Sequence, residues 1–209
     1  MDKFDRNFFI FIYLFFFSFL SCSVKAKLFI LIGPSGVGKS VLIKNLIKQK
    51  HIDGFVPTYT TRSIRLGEQN AKDYFFITEK DFFEKVNKNE FVHHENIYGN
   101  YYGISQADLM KKLEKNENLI MTLIPTVAQK IKTIFGQRVV TIFITPPTFQ
   151  DLEQRLISRM SEDQSSLKIR IEQASKELAQ QDLFDYKIMN DDLKTTLKIL
   201  RDIIDLECL

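Results

Sequence analysis

The sequence predicts an α/β fold, a parallel sheet with helices on both faces interrupted by a small α+β insertion. Three observations predict it. A glycine-rich turn, Gly33-Pro34-Ser35-Gly36-Val37-Gly38-Lys39-Ser40, lies between an apolar run, Lys27 to Ile32, and residues with helical spacing, Val41, Leu42, Asn45, Leu46 and Lys48. Short apolar runs suited to buried strands recur between helix-length segments in the second half of the chain. Between about 57 and 104 that alternation gives way to shorter aromatic and β-rich stretches.

The elements follow in order. Lys27 to Ile32 reads as the first strand, and His51 to Gly54, after the first helix, as a turn. Val56 to Arg62 and the β-rich Lys72 to Ile77 flank the loop Ser63 to Glu68. Thr78 to Lys88 is helical: Thr78 caps, Asp81 sits three residues on, and Phe82, Phe83 and Val86 form an apolar face. Glu90 to Ile97 reads as a strand, Tyr98 to Gly103 as a turn and Ser105 to Asn116 as a helix. Leu119 to Ile124 is a buried strand, Pro125 to Phe135 a helix with proline in its first turn, and Arg138 to Thr145 another strand. Pro146-Pro147 breaks the chain before a helix from Thr148 to Met160, a polar connector from Ser161 to Ser166 and a long helix to about Gln181. Tyr186 to Met189 is the last strand and Asp191 to Leu206 the closing helix.

The glycine-rich turn fits the phosphate-loop pattern G-x-x-x-x-G-K-[ST] at every fixed position. Its glycines let the backbone curl until successive N–H groups point at the phosphates of a nucleoside triphosphate. Lys39 then reaches the β- and γ-phosphates, the Ser40 hydroxyl is a ligand for Mg²⁺, and the helix dipole favours the anion.

Bulk properties narrow the class. With 209 residues, 44% apolar and 26% charged, the chain suits one α/β domain with a subdomain. A net charge of +3 does not argue for nucleic acid, and Cys22 and Cys208 form no metal or redox spacing. Residues 1–23 form a hydrophobic extension. Phe8 to Leu20 is almost wholly apolar behind Lys3 and Arg6, like the opening of a signal peptide, yet short for a membrane span. Phe19-Leu20-Ser21-Cys22 is a poor match to a lipoprotein cleavage box. Two readings stand: a signal or membrane anchor through residues 8–20, or a start set too early, with Val24 as the initiator of a cytoplasmic protein.

Several further motifs spell a family. Thr60-Thr61-Arg62, Gly67-Glu68, Lys72-Asp73-Tyr74-Phe75-Phe76-Ile77, Gly99-Asn100-Tyr101-Tyr102-Gly103, Pro146-Pro147 and Asn190-Asp191-Asp192-Leu193, together with the phosphate loop, closely resemble guanylate kinases. Arg155 and Arg159, followed by Arg170, extend the resemblance, which is collinear from Lys27 to the C-terminus. It implies a guanylate kinase-like domain over 24–209. That domain has a core (24–56 and 105–209), a monophosphate-binding insertion (57–104) and a helical lid at about 155–170. The implied reaction passes the γ-phosphoryl group of ATP to GMP, with Mg²⁺ as cofactor. The implied partners are small molecules rather than nucleic acid, and the implied assembly is a monomer or homodimer.

By the same resemblance Arg62, Arg65, Tyr74 and Tyr102 hold the acceptor phosphate. Lys39, Arg155, Arg159 and Arg170 surround the transferring group, and Asn190 belongs to the nucleotide site. The residue types suit the chemistry, because phosphoryl transfer needs two phosphates held in line with their charge neutralised. Two arginines three apart in a loop grip a phosphate bidentately, and a closing lid excludes water.

The chain departs from the family pattern at the base. His93 stands where the family carries a glutamate that accepts from guanine, and Ile104 where it has serine or threonine. Thr122 and Ile124 replace two aspartates that help bind GMP and order water around Mg²⁺. Losing two charged hydrogen bonds, at roughly 1.5–3 kcal/mol each, predicts guanine binding weakened by roughly 10²–10⁴-fold. Glu95, two residues along a strand from His93, faces the same side and is placed to compensate in part. Two other readings stay open: a related kinase for another phosphorylated acceptor such as a ribose bisphosphate, and a non-catalytic guanylate kinase-like nucleotide-binding protein.

Overall fold

The computed structural model describes residues 26–97, 99–158 and 164–209, with 164–168 as backbone only. The hydrophobic extension and Arg159 lie outside the described residues. Among those described, no helix is long and apolar enough to cross a membrane.

The elements run β1 (Leu28–Ile32), α1 (Lys39–Lys48), β2 (Gly54–Phe55), β3 (Thr58–Thr60), β4 (Tyr74–Phe76), α2 (Glu79–Asn87), β5 (Phe91–Ile97) and β6 (Asn100–Ser105). They continue as α3 (Gln106–Glu114), β7 (Leu119–Thr122), α4 (Pro125–Phe135), β8 (Val139–Thr145), α5 (Phe149–Ser158), α6 (Gln164–Leu178), β9 (Tyr186–Met189) and α7 (Leu193–Glu207).

The main sheet is parallel throughout, in the order β2-β7-β1-β8-β9. Its central strand is buried at every residue, and the period of two divides it between two cores. Phe29 and Leu31 pack with Leu42, Leu46, Leu152, Leu200 and Ile204 on one face. Leu28, Ile30 and Ile32 pack with Leu109, Leu113, Val127 and Ile131 on the other. The doubly covered parallel sheet is therefore the one expected, because strands apolar on both sides need helices on both sides. Caps set the helix starts: Thr78, Ser105 and Asp192 each accept an N–H from three residues on.

A second sheet, β4-β3-β6-β5, comes from the stretch that breaks the alternation. β3 and β4 run parallel, while β6 pairs antiparallel with both β3 and β5. One face is aromatic: Tyr59 stacks on Phe75 with ring centres 4.6 Å apart, and Phe82 of α2 covers Phe91, His94 and Tyr101.

Two local expectations change. Asn100 to Gly103 is strand, not turn; Gly99, whose φ is 77°, is the described residue of the reversal, and Tyr98 lies outside the described residues. Gly103 sits inside β6 because the Phe91 ring fills the space where a Cβ would stand, 2.8 Å from its atoms. Gly54 and Phe55, read as the end of a turn and its continuation, form a two-residue strand beside Leu119 and Ile120.

Candidate active site

One end of the site is built from backbone. The glycine-rich loop leaves the carboxyl end of β1, at the centre of the parallel sheet, where such folds place their ligands. Gly33 has φ 132°, and a Cβ on it would lie 2.3 Å from the Ile144 carbonyl oxygen. Gly38, with φ 100°, precedes the first residue of α1, and a Cβ there would meet the Asn190 amide at 2.5 Å. Only glycine fits either position. From the α5 side, Leu152 and Leu156 lie 3.3 and 3.4 Å from where a Gly36 side chain would begin.

The side chains around this loop hold it rather than fill it. Buried Asn190 donates to the Val37 carbonyl at 2.6 Å, so this residue, assigned to the nucleotide from the motif, acts on the loop's own backbone. Lys39 folds back over the loop, donating to the Gly33 carbonyl and, at 3.0 Å, to that of Pro34. Ser35 and Ser40 are exposed. In α6 the carboxylate of Glu177 is buried beside Gln173, whose amide donates to it at 3.3 Å. Burial raises its pKa, opposed by the charge of Lys39.

The other end is built from side chains on the polar face of the second sheet. Thr60, Tyr102 and Glu95 are directly opposite one another across β3, β6 and β5, and Ile104 is opposite His93. Arg62 lies over the rings of Tyr74 and Phe76, 5.3 and 5.6 Å from their centres, and meets the Tyr102 hydroxyl. Its guanidinium donates to both Glu68 oxygens, at 2.8 and 3.0 Å, and to the Ser63 carbonyl at 2.7 Å. The Arg65 backbone N–H donates to the same carboxylate at 2.8 Å, while its side chain is exposed.

Burial pushes the Glu68 carboxyl up, but the Arg62 and Arg65 donors outweigh it and hold it below the usual range. Burial and the neighbouring Tyr102 raise the Tyr74 phenol. The loop thus carries an ionised clamp whose arginine is already oriented, with an internal carboxylate where an anion can exchange in.

The structure brings Arg62, Tyr74 and Tyr102 together, and puts His93 farther along the same face. Arg155 is half-buried on α5, the helix whose leucines cover the loop, and Arg170 is half-buried on α6. Thr122 ends β7 beside Leu31, at the carboxyl edge of the sheet. Ile104 is almost wholly buried, and Ile124 packs partly buried against the same core cluster, so both serve packing. Three residues without an assigned role from sequence matter here: Glu68, Glu177 and Lys130, whose ammonium donates to Glu95 at 3.0 Å. Glu68 stood in a quoted motif; no sequence signal points to the other two.

Among the described residues no group of three or more His, Cys, Asp or Glu side chains could hold a metal ion. The exposed Ser40 hydroxyl at the start of α1 is the donor that fits Mg²⁺ arriving with nucleotide phosphates, the usual way this ion is held.

A family model described as guanylate kinase matches residues 25–207. A guanylate kinase from Porphyromonas gingivalis is 35% identical over 180 residues, covering 85% of this chain and 96% of that protein. One from Clostridioides difficile is 34% identical over 183 residues, covering 88% and 89%. The crystal structure of guanylate kinase from Anaplasma phagocytophilum superimposes with a TM-score of 0.71 at 25% identity, over 89% of this chain and 88% of that one.

Proposed function

Since the chain belongs to the guanylate kinase family, we propose that it passes the γ-phosphoryl group of ATP to GMP, giving ADP and GDP, with Mg²⁺ as cofactor. The observation that carries this reading is the intact loop from Gly33 to Ser40, held in its curled form by Asn190 in a chain that matches the family along 25–207.

The roles proposed here combine the family resemblance with the contacts described above. The loop's N–H groups and the start of α1 bind the triphosphate tail, with Lys39 leaving its carbonyl partners for the β- and γ-phosphates. Ser40 would hold Mg²⁺ arriving with the nucleotide, and the ion would supply charge neutralisation. Arg62, Tyr74 and Tyr102 bind the phosphate of GMP, joined by the exposed Arg65 side chain. Arg155, Arg159 and Arg170 cover the transferring group as the lid closes, so that GMP rather than water receives it. Catalysis here is alignment and charge neutralisation, with no covalent intermediate. The use of ATP and GMP supports a cytoplasmic site of action. Neither the ribose bisphosphate reading nor the non-catalytic one is favoured by any contact in the site.

The test is a coupled assay of residues 24–209 with ATP, Mg²⁺ and, in turn, GMP, dGMP, AMP and ribose 1,5-bisphosphate. GMP turnover above that with the other acceptors is the expected result; ribose 1,5-bisphosphate outrunning GMP, or no transfer to any acceptor, refutes the reading.

A further inference from the structure

We infer that Glu95 is the residue that reads the base of the acceptor, and that His93 and Lys130 are positioning residues that aim its carboxylate; the inference rests on GMP being the acceptor.

Guanine presents two donors on one edge, the ring N1–H and the exocyclic amino group, and a buried donor pair needs an acceptor opposite. The polar face of the second sheet brings two carboxylates toward its arginine and tyrosines. Glu68 has both oxygens on Arg62. Glu95 lies directly across from Tyr102 and is only partly exposed, its side chain at 28%.

Its contacts are one-sided. The Lys130 ammonium, reaching over from α4, and the His93 ring Nε2 both meet Oε2, at 3.0 and 3.3 Å. Among the described residues no donor meets Oε1. An ionised carboxylate only accepts, so the His93 nitrogen facing it carries the proton. Burial pushes the Glu95 carboxyl up, but Lys130 and His93 outweigh this and keep it ionised and acceptor-only.

The result is a carboxylate held by one oxygen, from its own strand and from the core, with the other oxygen available on the face that carries the phosphate clamp. Position 93 supports this acceptor rather than supplying it. Glu95 is paired directly with Tyr102, whereas His93 stands two β5–β6 pairs away from it. Guanine recognition is therefore moved along the strand, not lost.

The experiment compares GMP, inosine monophosphate and AMP as acceptors for the parent chain and for Glu95→Gln, Glu95→Ala, His93→Ala and His93→Gln. Inosine monophosphate keeps the N1–H and lacks the amino group, while AMP lacks both donors on that edge in this arrangement. Melting temperature and ATP binding by calorimetry serve as folding controls. Both Glu95 variants are expected to raise KM for GMP roughly 10- to 100-fold, with a smaller change in kcat. They should also bring the GMP to inosine monophosphate preference toward one. His93→Ala should raise KM less, and His93→Gln, whose amide still donates to Glu95, should restore most of the loss.

A GMP KM unchanged by Glu95→Ala, in a parent that turns GMP over, overturns the inference alone. So does collapse of the preference in His93→Ala with none in Glu95→Ala, which would make His93 the reader. A folded parent that binds ATP and does not phosphorylate GMP overturns the activity together with it.

Discussion

The two ends of the site hold their shape by different means. At the donor end the groups aimed at phosphate are backbone N–H donors, and the contacts that fix them are buried: Ile144 against Gly33, and Asn190 on Val37. At the acceptor end the working groups are side chains, fixed by ion pairs on a partly exposed sheet face: Arg62 with Glu68, and Glu95 with Lys130. A backbone site tolerates little change, because any side chain added to its glycines meets a wall. A side-chain site is re-partnered one residue at a time. That difference fits a chain whose phosphate loop matches G-x-x-x-x-G-K-[ST] at every fixed position while His93 and Ile104 depart from the residues that the family resemblance implies.

The largest effect should come from the donor end. Gly33→Ala places a Cβ 2.3 Å from a backbone carbonyl at φ 132°, so the loop must shift. Strain of this kind costs on the order of 1–3 kcal/mol before the clash is counted. Turnover should fall by roughly 10²–10³-fold or more, since the loop's donors leave their positions. Calorimetry should find no ATP binding in a sample that is folded by circular dichroism. Activity within tenfold of the parent would mean that the loop is not held as rigidly as its contacts indicate.

Next comes Arg62. Arg62→Ala should raise KM for GMP roughly 10- to 100-fold through loss of a charged hydrogen-bonding group, with ATP binding unchanged. Arg62→Lys should recover little of this, because an ammonium neither forks onto a phosphate nor lies flat over Tyr74 and Phe76. Full rescue by lysine would show that charge alone, not the planar clamp, binds the acceptor. A smaller effect, on the opposite substrate, is expected from Asn190→Ala. It leaves the Val37 carbonyl without its buried donor, at roughly 1–3 kcal/mol. Melting temperature should drop and KM for ATP rise, with KM for GMP unmoved; steady-state kinetics with each substrate varied in turn separates the two.

The same contrast governs what was legible in the sequence. The doubly covered sheet could be read because its central strands are short apolar runs separated by helix-length segments; of the side-chain caps at Thr78, Ser105 and Asp192, only Thr78 is announced by its sequence spacing. The phosphate loop could be read because its function is glycine spacing. Tyr98 to Gly103 reads as a turn because Gly-Asn-Tyr-Tyr-Gly carries turn residues; what makes Gly103 a strand residue is the Phe91 ring, a neighbour set by tertiary packing. The pairing of Lys130 with Glu95 crosses 35 residues and joins a core helix to the second sheet, so no local pattern encodes it. Glu177 was missed for the same reason: its importance lies in burial near Lys39, not in its neighbours along α6.

That glutamate supplies the smallest and sharpest test of whether charge attraction to Lys39 helps to hold the donor end. Burial raises the Glu177 carboxyl above its ordinary range, and the charge of Lys39 only partly opposes this. A raised folded-state value means that the folded chain holds the proton more tightly than the unfolded one. The stabilisation belonging to the neutral form is complete below the unfolded pKa, about 4.3, and is lost as pH rises through the folded value. Above that folded value the parent carries a buried carboxylate at some expense, which Glu177→Gln removes. The variant should melt higher than the parent at pH 8, by roughly 2–4 °C if the gain is about 1 kcal/mol. The gain should shrink to nothing as pH approaches 4. Scanning calorimetry across that range reads it directly. A variant that melts lower at pH 8 would reverse the sign: the ionised pair with Lys39 would then be net favourable, and the donor end would be held by charge much as the acceptor end is.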